Sequence, residues 1–344
     1  MKKHIAILTP GFPENEEDST CIPALQIFVK ALAKIKTIKV SVLTLYYPKN
    51  KTVYNWNDIQ VTALNLPPNK SKKIASLFKT WNQLKQLHKE NTIDTIHSFW
   101  LGECAFLGHY FSKKNTLNHL VTLMGQDAKT KNMFSRFLPL KKMTLISLSR
   151  FHQQTFLDNF NSTSKIIPWG LVPKEIEHHN TKKSIDIIGV GSLIPLKNYS
   201  LFIDVILNLK LENPKIKAII IGDGKEKRNL SAKIKTLKLE TNLELLGELS
   251  YDDTQALLAK SKVLLHTSDY ESFGMVFAEA LAKKTRIVSK PIGIANKSDS
   301  WYIGNTKEAL IKGCKKMLLT PTPQDSKLFD INDTLNAYLK LYHA

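Results

Sequence analysis

Along this 344-residue chain, short apolar segments alternate with amphipathic ones in two successive runs. Strands separated by helices cannot pair through tight hairpins, so the pattern predicts parallel sheets with helices on both faces. In the first run, residues 5–8, 40–45, 95–98, 120–123 and 145–149 read as strands, and 166–168 closes the half. Residues 23–36 read as a helix with Ile27, Ala31, Leu32 and Ile35 on its apolar face. In the second run, 185–190, 217–221, 243–246, 263–266 and 286–289 read as strands. Helices are expected at 201–209, 230–237 and 277–282. Between the runs, 170–183 is polar, contains His178-His179-Asn180, and reads as a linker. Residues 328–342 place Leu335, Leu339 and Tyr342 at helical spacing. The expectation is an α/β protein of two doubly wound domains: 1–169, a linker at 170–184, 185–322, and a C-terminal helix within 323–344 that packs back toward the first domain.

Composition narrows the class. Hydrophobic residues make up 43% and charged residues 23%, the balance of a globular chain. No run approaches the roughly 18 apolar residues of a membrane-spanning helix. The apolar stretch after Met1-Lys2-Lys3 is cut short by Pro10-Gly11, so it reads as a first strand rather than a leader. Cys21, Cys104 and Cys314 are odd in number and widely spaced, which fits neither a disulfide framework nor a zinc site and predicts a cytoplasmic protein. The net charge is +19, yet only four of the 49 basic residues are arginine. Nucleic-acid sites favour arginine forks, so no nucleic-acid partner is expected; that alternative rests on charge alone. Residues 1–175 carry 24 basic and 11 acidic residues, so the first half is the one to meet something anionic.

The chemistry concentrates in the second half. Glu271-Ser272-Phe273-Gly274-Met275-Val276 follows the strand at 263–266 and opens a helix that carries Glu279. Gly274 lets a ligand approach the backbone, and the first N–H groups of the helix offer an anion site suited to a diphosphate. Glu279 can accept from a ribose diol, and Glu271 can reach hydroxyls beyond the phosphates. An alternative is a strand–loop–helix corner with two solvated glutamates. The stretch Gly191-Ser192 to Lys197 follows the strand at 185–190. Gly191 permits close approach, and Lys197 can neutralise a departing diphosphate; a glycine turn with an exposed lysine is the plainer alternative. Both motifs fall at carboxyl ends of strands in one sheet, where α/β folds bind ligands.

On these residues the chain resembles the retaining glycosyltransferases of family 4, which have the GT-B fold, two Rossmann-like domains facing across a cleft. The resemblance rests on the E-x7-E spacing from Glu271 to Glu279 within ESFGMVFAEALA, on GVGSLIPLKN, IIIGDG, LLG at 245–247 and IIPWG at 166–170, and more loosely on DTIHSFW, TLMGQD and LISLSRF. It implies transfer of a hexose-type sugar from a nucleotide-diphosphate sugar to an acceptor hydroxyl, with retention. It implies that Glu279 binds ribose, Glu271 binds the sugar, and Gly191, Ser192, Lys197, Gly247 and the backbone from Ser272 to Val276 hold the donor. No bound metal or other cofactor is implied. Lys197, Glu271 and Asp127 are the catalytic candidates; Gly11, His97, Met124 and Asp127 are those on the acceptor side.

Three positions depart from the family pattern. Ser192 stands where an arginine is common. Met124, in Met124-Gly125-Gln126-Asp127, stands where a histidine is usual and cannot move protons. Gly11-Phe12-Pro13 replaces a tight Gly-Gly loop. A non-catalytic binder of nucleotide sugars therefore remains an alternative. A dehydrogenase does not: Ile194 falls where the third glycine of its fingerprint belongs. His97 is expected to face the cleft or to be structural; Trp100 and Trp169 are expected either to stack on a ligand or to pack in the core. Finally, residues 71–90 combine Ile74, Leu77, Phe78, Trp81, Leu84 and Leu87 at helical spacing with Lys72, Lys73, Lys79, Lys85 and Lys89, and 129–142 is a second basic, aromatic stretch. They suggest peripheral contact with an anionic membrane and a lipid-linked or envelope-glycan acceptor, although the apolar stripe equally suits packing on the domain's own sheet.

Overall fold

The computed structural model describes residues 2–50, 52–67, 73–172, 181–321 and 329–343. Contacts divide the chain into two units, Met1–Gly170 with Asp330–Ala344, and Leu171–Phe329. Both are doubly wound α/β units.

The N-terminal unit holds an eight-stranded sheet: β1 (Lys3–Gly11), β2 (Ile38–Tyr47), β3 (Val53–Trp56), β4 (Ile59–Ala63), β5 (Thr95–Phe99), β6 (Asn118–Thr122), β7 (Thr144–Ser147) and β8 (Lys165–Ile166), in the order β3-β4-β2-β1-β5-β6-β7-β8. All neighbours are parallel except β3 and β4, an unforeseen hairpin. Its two-residue turn, Asn57-Asp58, takes positive φ at both positions (46° and 63°) without a glycine; Asn and Asp tolerate that region better than other side chains. The central strands read as continuous apolar runs because helices cover both faces. The helix α1 (Pro23–Ala33) buries Leu25, Phe28, Val29 and Leu32. Of the face expected from the sequence only Leu32 is fully buried; the helix is rotated so that Phe28 points inward. The helices α2 (Lys73–Glu90), α3 (Glu103–Asn115) and α4 (Arg150–Phe160) complete the first run.

The C-terminal unit has six parallel strands: β9 (Ile185–Val190), β10 (Ala218–Ile221), β11 (Leu243–Gly247), β12 (Ser261–His266), β13 (Arg286–Ser289) and β14 (Trp301–Ile303), ordered β11-β10-β9-β12-β13-β14. Its helices are α5 (Tyr199–Glu212), α6 (Lys227–Thr236), α7 (Tyr251–Ala259), α8 (Met275–Ala282) and α9 (Lys307–Leu319). The elements α7, β14 and α9 have no counterpart in the sequence reading. Leu310, Cys314 and Met317 form the buried stripe of α9, behind a Thr306 cap.

The chain ends on α10 (Ile331–Tyr342), which belongs to the N-terminal unit. Tyr338 and Tyr342 are fully buried beside Phe28 and His97. A Cβ on Gly170 would stand 2.4 Å from the Ile331 backbone, so only glycine permits this packing. The expected linker histidines, His178 and His179, lie outside the described residues.

Candidate active site

In the C-terminal unit the chain runs outward from β9 to β10 and β11, then returns to β12 on the other side of β9. The carboxyl ends of β9 and β12 therefore flank the topological switch point, where open α/β sheets bind ligands. The two sequence motifs sit there. Their loops are joined directly: Asp269 N–H donates to Leu196 O (2.9 Å), Thr267 Oγ1 to Lys197 O (3.0 Å), and Ser268 Oγ to Leu196 O (3.1 Å).

At the centre, the Lys197 ammonium donates to Glu271 Oε1. The same oxygen lies 3.0 Å from His266 Nε2. A carboxylate only accepts, so Nε2 carries the hydrogen. Burial would raise the Glu271 carboxyl, but the His266 hydrogen bond and the Lys197 charge outweigh it and hold it at about 2. Burial lowers His266, against the pull of Glu271, which keeps the ring neutral near pH 7. The site at rest is an ionised carboxylate held between a cation and a neutral donor. Burial and the nearby Glu271 charge push the Tyr199 hydroxyl up; it donates to Gly191 O (3.3 Å) and so braces the first loop.

Gly274 stands at the N-cap of α8 with φ 84°, and no side chain caps the helix. A Cβ there would come 2.5 Å from the Phe277 ring. The first amides of α8, on Met275 and Val276, thus open at its positive end without a cap. Glu279 is buried, 8% exposed, in the body of α8. Gly222, with φ 140°, packs beneath Gly191: a Cβ there would lie 2.1 Å from Gly191 O. Gly247 ends β11, and its carbonyl accepts from Gly222 N (2.7 Å). Nearby, Lys227 pairs with Asp223 at 2.5 Å. Ser192 is exposed on the β9 loop.

Phe273 contributes no side chain to this surface. Its side chain is 1% exposed and packs edge-on against Phe329 at 5.4 Å, so only its backbone is left for a ligand.

The N-terminal candidates divide. Gly11 and Met124 lie at or just beyond the carboxyl ends of β1 and β6. Asp127 is buried, and its carboxylate accepts from Leu101 N (2.8 Å), Gly125 N (2.7 Å) and Met124 N (3.1 Å). Burial raises its carboxyl against these bonds. This is the geometry of a loop anchor, and it holds the Met124 turn in place. His97 does not face a ligand. It is fully buried, with Nδ1 2.7 Å from the Tyr342 hydroxyl and Nε2 2.8 Å from Thr122 Oγ1. Burial, helped by His119, lowers it to about 3, so it is a neutral core residue. Trp169 is likewise in the core, stacked on Phe99. Trp100 is half-buried with φ 69°, a strained value for a bulky residue, at the end of β5.

Sequence reasoning missed His266 and Tyr199. The available signal was a histidine ending an apolar strand five residues before Glu271. Among the described residues, no three His, Cys, Asp or Glu side chains are grouped to hold a metal ion.

Two family models match the chain: "Glycosyl transferase 4-like" over residues 20–159 and "Glycosyl transferases group 1" over residues 173–317. An uncharacterized glycosyltransferase of Methanocaldococcus jannaschii is 27% identical over 284 residues, covering 79% of this chain and 76% of its own. The gpi3 subunit of the phosphatidylinositol N-acetylglucosaminyltransferase of Schizosaccharomyces pombe is 28% identical over 131 residues, 37% of this chain and 29% of that subunit. Among solved structures, Anabaena HepE in complex with UDP and glucose superposes with a TM-score of 0.72 at 16% identity, covering 99% of both chains. That likeness establishes the GT-B fold.

Proposed function

We propose that this chain, a glycosyltransferase of the GT-B type, is a retaining enzyme of family 4. In this reading it moves a hexose-type sugar from a nucleoside-diphosphate donor to a hydroxyl of a lipid-linked or glycan acceptor. The observation that carries the reading is the meeting of Lys197, Glu271 and the uncapped start of α8 at one switch point. A diphosphate placed there would meet the α8 amides and the Lys197 charge. Glu279 would accept from ribose, and Glu271, released by Lys197 and still held by His266, would accept from sugar hydroxyls. The glycosidic C1–O bond breaks with its electron pair going to the diphosphate. The acceptor oxygen bonds C1 on the same face and yields its proton to a leaving phosphate oxygen. No protein nucleophile is required, and Met124 need not move a proton.

The acceptor class takes its support from the phosphatidylinositol substrate in the name of the Schizosaccharomyces relative. Among the described residues no helix is long and apolar enough to cross a membrane. We place the enzyme at the cytoplasmic face of a membrane and propose that it works without a bound metal; turnover undiminished by a chelator is the expected outcome. The deciding experiment is transfer from a panel of UDP, GDP and ADP sugars, with the product's anomeric configuration read by NMR. Product with the donor's configuration is expected; an inverted product removes the retaining assignment. Tight donor binding with neither transfer nor hydrolysis would make the chain a non-catalytic binder.

A further inference from the structure

The N-terminal unit places two basic, aromatic stretches, and it uses them differently. On α2, Leu84 and Leu87 are buried, and Leu77 and Trp81 pack against the same core. Trp81 meets the Phe111 ring at 5.2 Å, and the Lys79 ammonium donates to Leu64 O (2.7 Å). Ser71 and Lys72 lie outside the described residues. Leu77, Trp81, Leu84 and Leu87 of the stripe that made α2 look like a membrane helix thus face the unit's own core, while Phe78 is exposed.

The second stretch is built outward. Met133–Phe137 forms a 3-10 turn capped by Asn132 Oδ1, which accepts from Phe134 N (3.0 Å). Asn132 Nδ2 donates to Leu101 O (2.6 Å) and Asp127 O (2.9 Å), so the turn is pinned to the body of the unit. Leu138 and Leu140 are buried behind it. Met133 (65%) and Phe137 (59%) nevertheless stand in solvent. Tyr110 of α3, 40% exposed, donates its hydroxyl to Phe137 O (2.9 Å) and extends the same surface. Lys131, Arg136, Lys141 and Lys142 are all exposed and carry no ion pair among the described residues. No Asp or Glu occurs between Asp127, which is buried, and Asp158.

A pinned turn that holds two large apolar side chains in water, within a stretch of chain that carries four exposed cations and no acid, is matched to a surface that is anionic outside and apolar beneath. We propose that this turn docks the N-terminal unit on an anionic lipid bilayer. Met133 and Phe137 enter the boundary between headgroups and acyl chains, while Lys131, Arg136, Lys141 and Lys142 meet headgroup phosphates. A nucleic acid would satisfy the cations but bury neither apolar tip, and the surface offers one arginine for forked phosphate contacts. The inference does not depend on the reaction the C-terminal unit performs.

The test is flotation of the full chain with vesicles of roughly equal phosphatidylglycerol and phosphatidylcholine, against phosphatidylcholine alone. Two variants separate the contributions: Met133→Ser with Phe137→Ser, and Lys131→Glu with Lys141→Glu and Lys142→Glu. All five residues are exposed, so both variants should melt as the wild type does. The wild type should float with the anionic vesicles only, and raising salt should release it. The charge variant should bind about a hundredfold more weakly, roughly fivefold per lysine. The apolar variant should bind roughly tenfold more weakly at the same salt. Failure of the wild type to float at low salt, or flotation unchanged in both variants, overturns the proposal. So does an apolar variant that floats normally while duplex DNA displaces the protein, which would mark a polyanion site instead.

Discussion

Lys197 and His266 share one oxygen of Glu271: the ammonium of the first and the Nε2–H of the second both donate to Oε1. The lysine is a charge that a diphosphate can draw away. The histidine is buried on β12, 4% exposed, and cannot follow. On this geometry His266 is a positioning residue that holds Glu271 after Lys197 has turned to the phosphates. His266→Ala should lower transfer roughly tenfold, as expected for one lost hydrogen bond to a charged group. Affinity for the bare nucleoside diphosphate should be unchanged, and His266→Gln should recover part of the loss. An equal fall in nucleotide affinity would mean that the substitution merely disrupts the fold.

The two glutamates of the E-x7-E spacing should separate by ligand. Glu279 lies within α8 and Glu271 in the loop before it. Glu279→Ala is expected to weaken bare nucleotide and donor alike, by about tenfold. Glu271→Ala is expected to spare bare nucleotide and impair donor use. Calorimetric titration of both variants with both ligands checks this; matching losses on bare nucleotide contradict the assignment.

Acid should attack the N-terminal unit through its buried histidines. His97 is lowered to about 3 and His152 to about 4, both by burial. Between these values and the ordinary 6.5 the unfolded chain takes up protons that the folded unit refuses. The stabilisation is therefore complete above about pH 6.5 and is lost as pH falls toward 4 and 3, on the order of a few kcal/mol for the pair. Urea unfolding at pH 7 and pH 5 measures it. His97→Gln should flatten the slope, because Gln keeps a donor and an acceptor for Tyr342 and Thr122 without a titrating group. An unchanged slope in that variant would remove His97 as a cause.

Glu271 titrates in a different window. Its carboxyl is held at about 2 against an ordinary 4.5, so its contribution is present above pH 4.5 and lost as pH falls toward 2. Donor binding should show no loss from Glu271 protonation between pH 8 and about 5. A carboxylate titration in that interval that disappears in Glu271→Gln would contradict the ion pair.

The sequence made the strands legible because parallel strands covered on both faces are apolar throughout. The Lys197 and Glu271 motifs were legible as neighbours because each follows a strand of the same parallel sheet, and the structure brings their side chains into contact. His97 stayed open between two readings because its partner Tyr342 lies 245 residues away, and only the return of α10 shows the ring to be covered. The hairpin of β3 and β4 escaped because Asn57-Asp58 turns without the glycine that normally marks such a loop. On α2 one helical stripe served two readings, and only burial of Leu84 and Leu87 decided between them. The local signal for His266, a histidine ending a strand five residues before Glu271, is too weak by itself to assign the contact, which only the folded loop brings to 3.0 Å.

The central claim is that the Lys197–Glu271 site receives the diphosphate of a nucleotide sugar and stabilises its departure. Release of nucleoside diphosphate from a panel of nucleotide sugars, compared between the wild type and a folded Lys197→Ala variant, tests it most directly. The account predicts release from at least one donor by the wild type, and a fall of about 100-fold or more in the variant, the scale of losing one preorganised charge-stabilising group. Release by Lys197→Ala at the wild-type rate would contradict it.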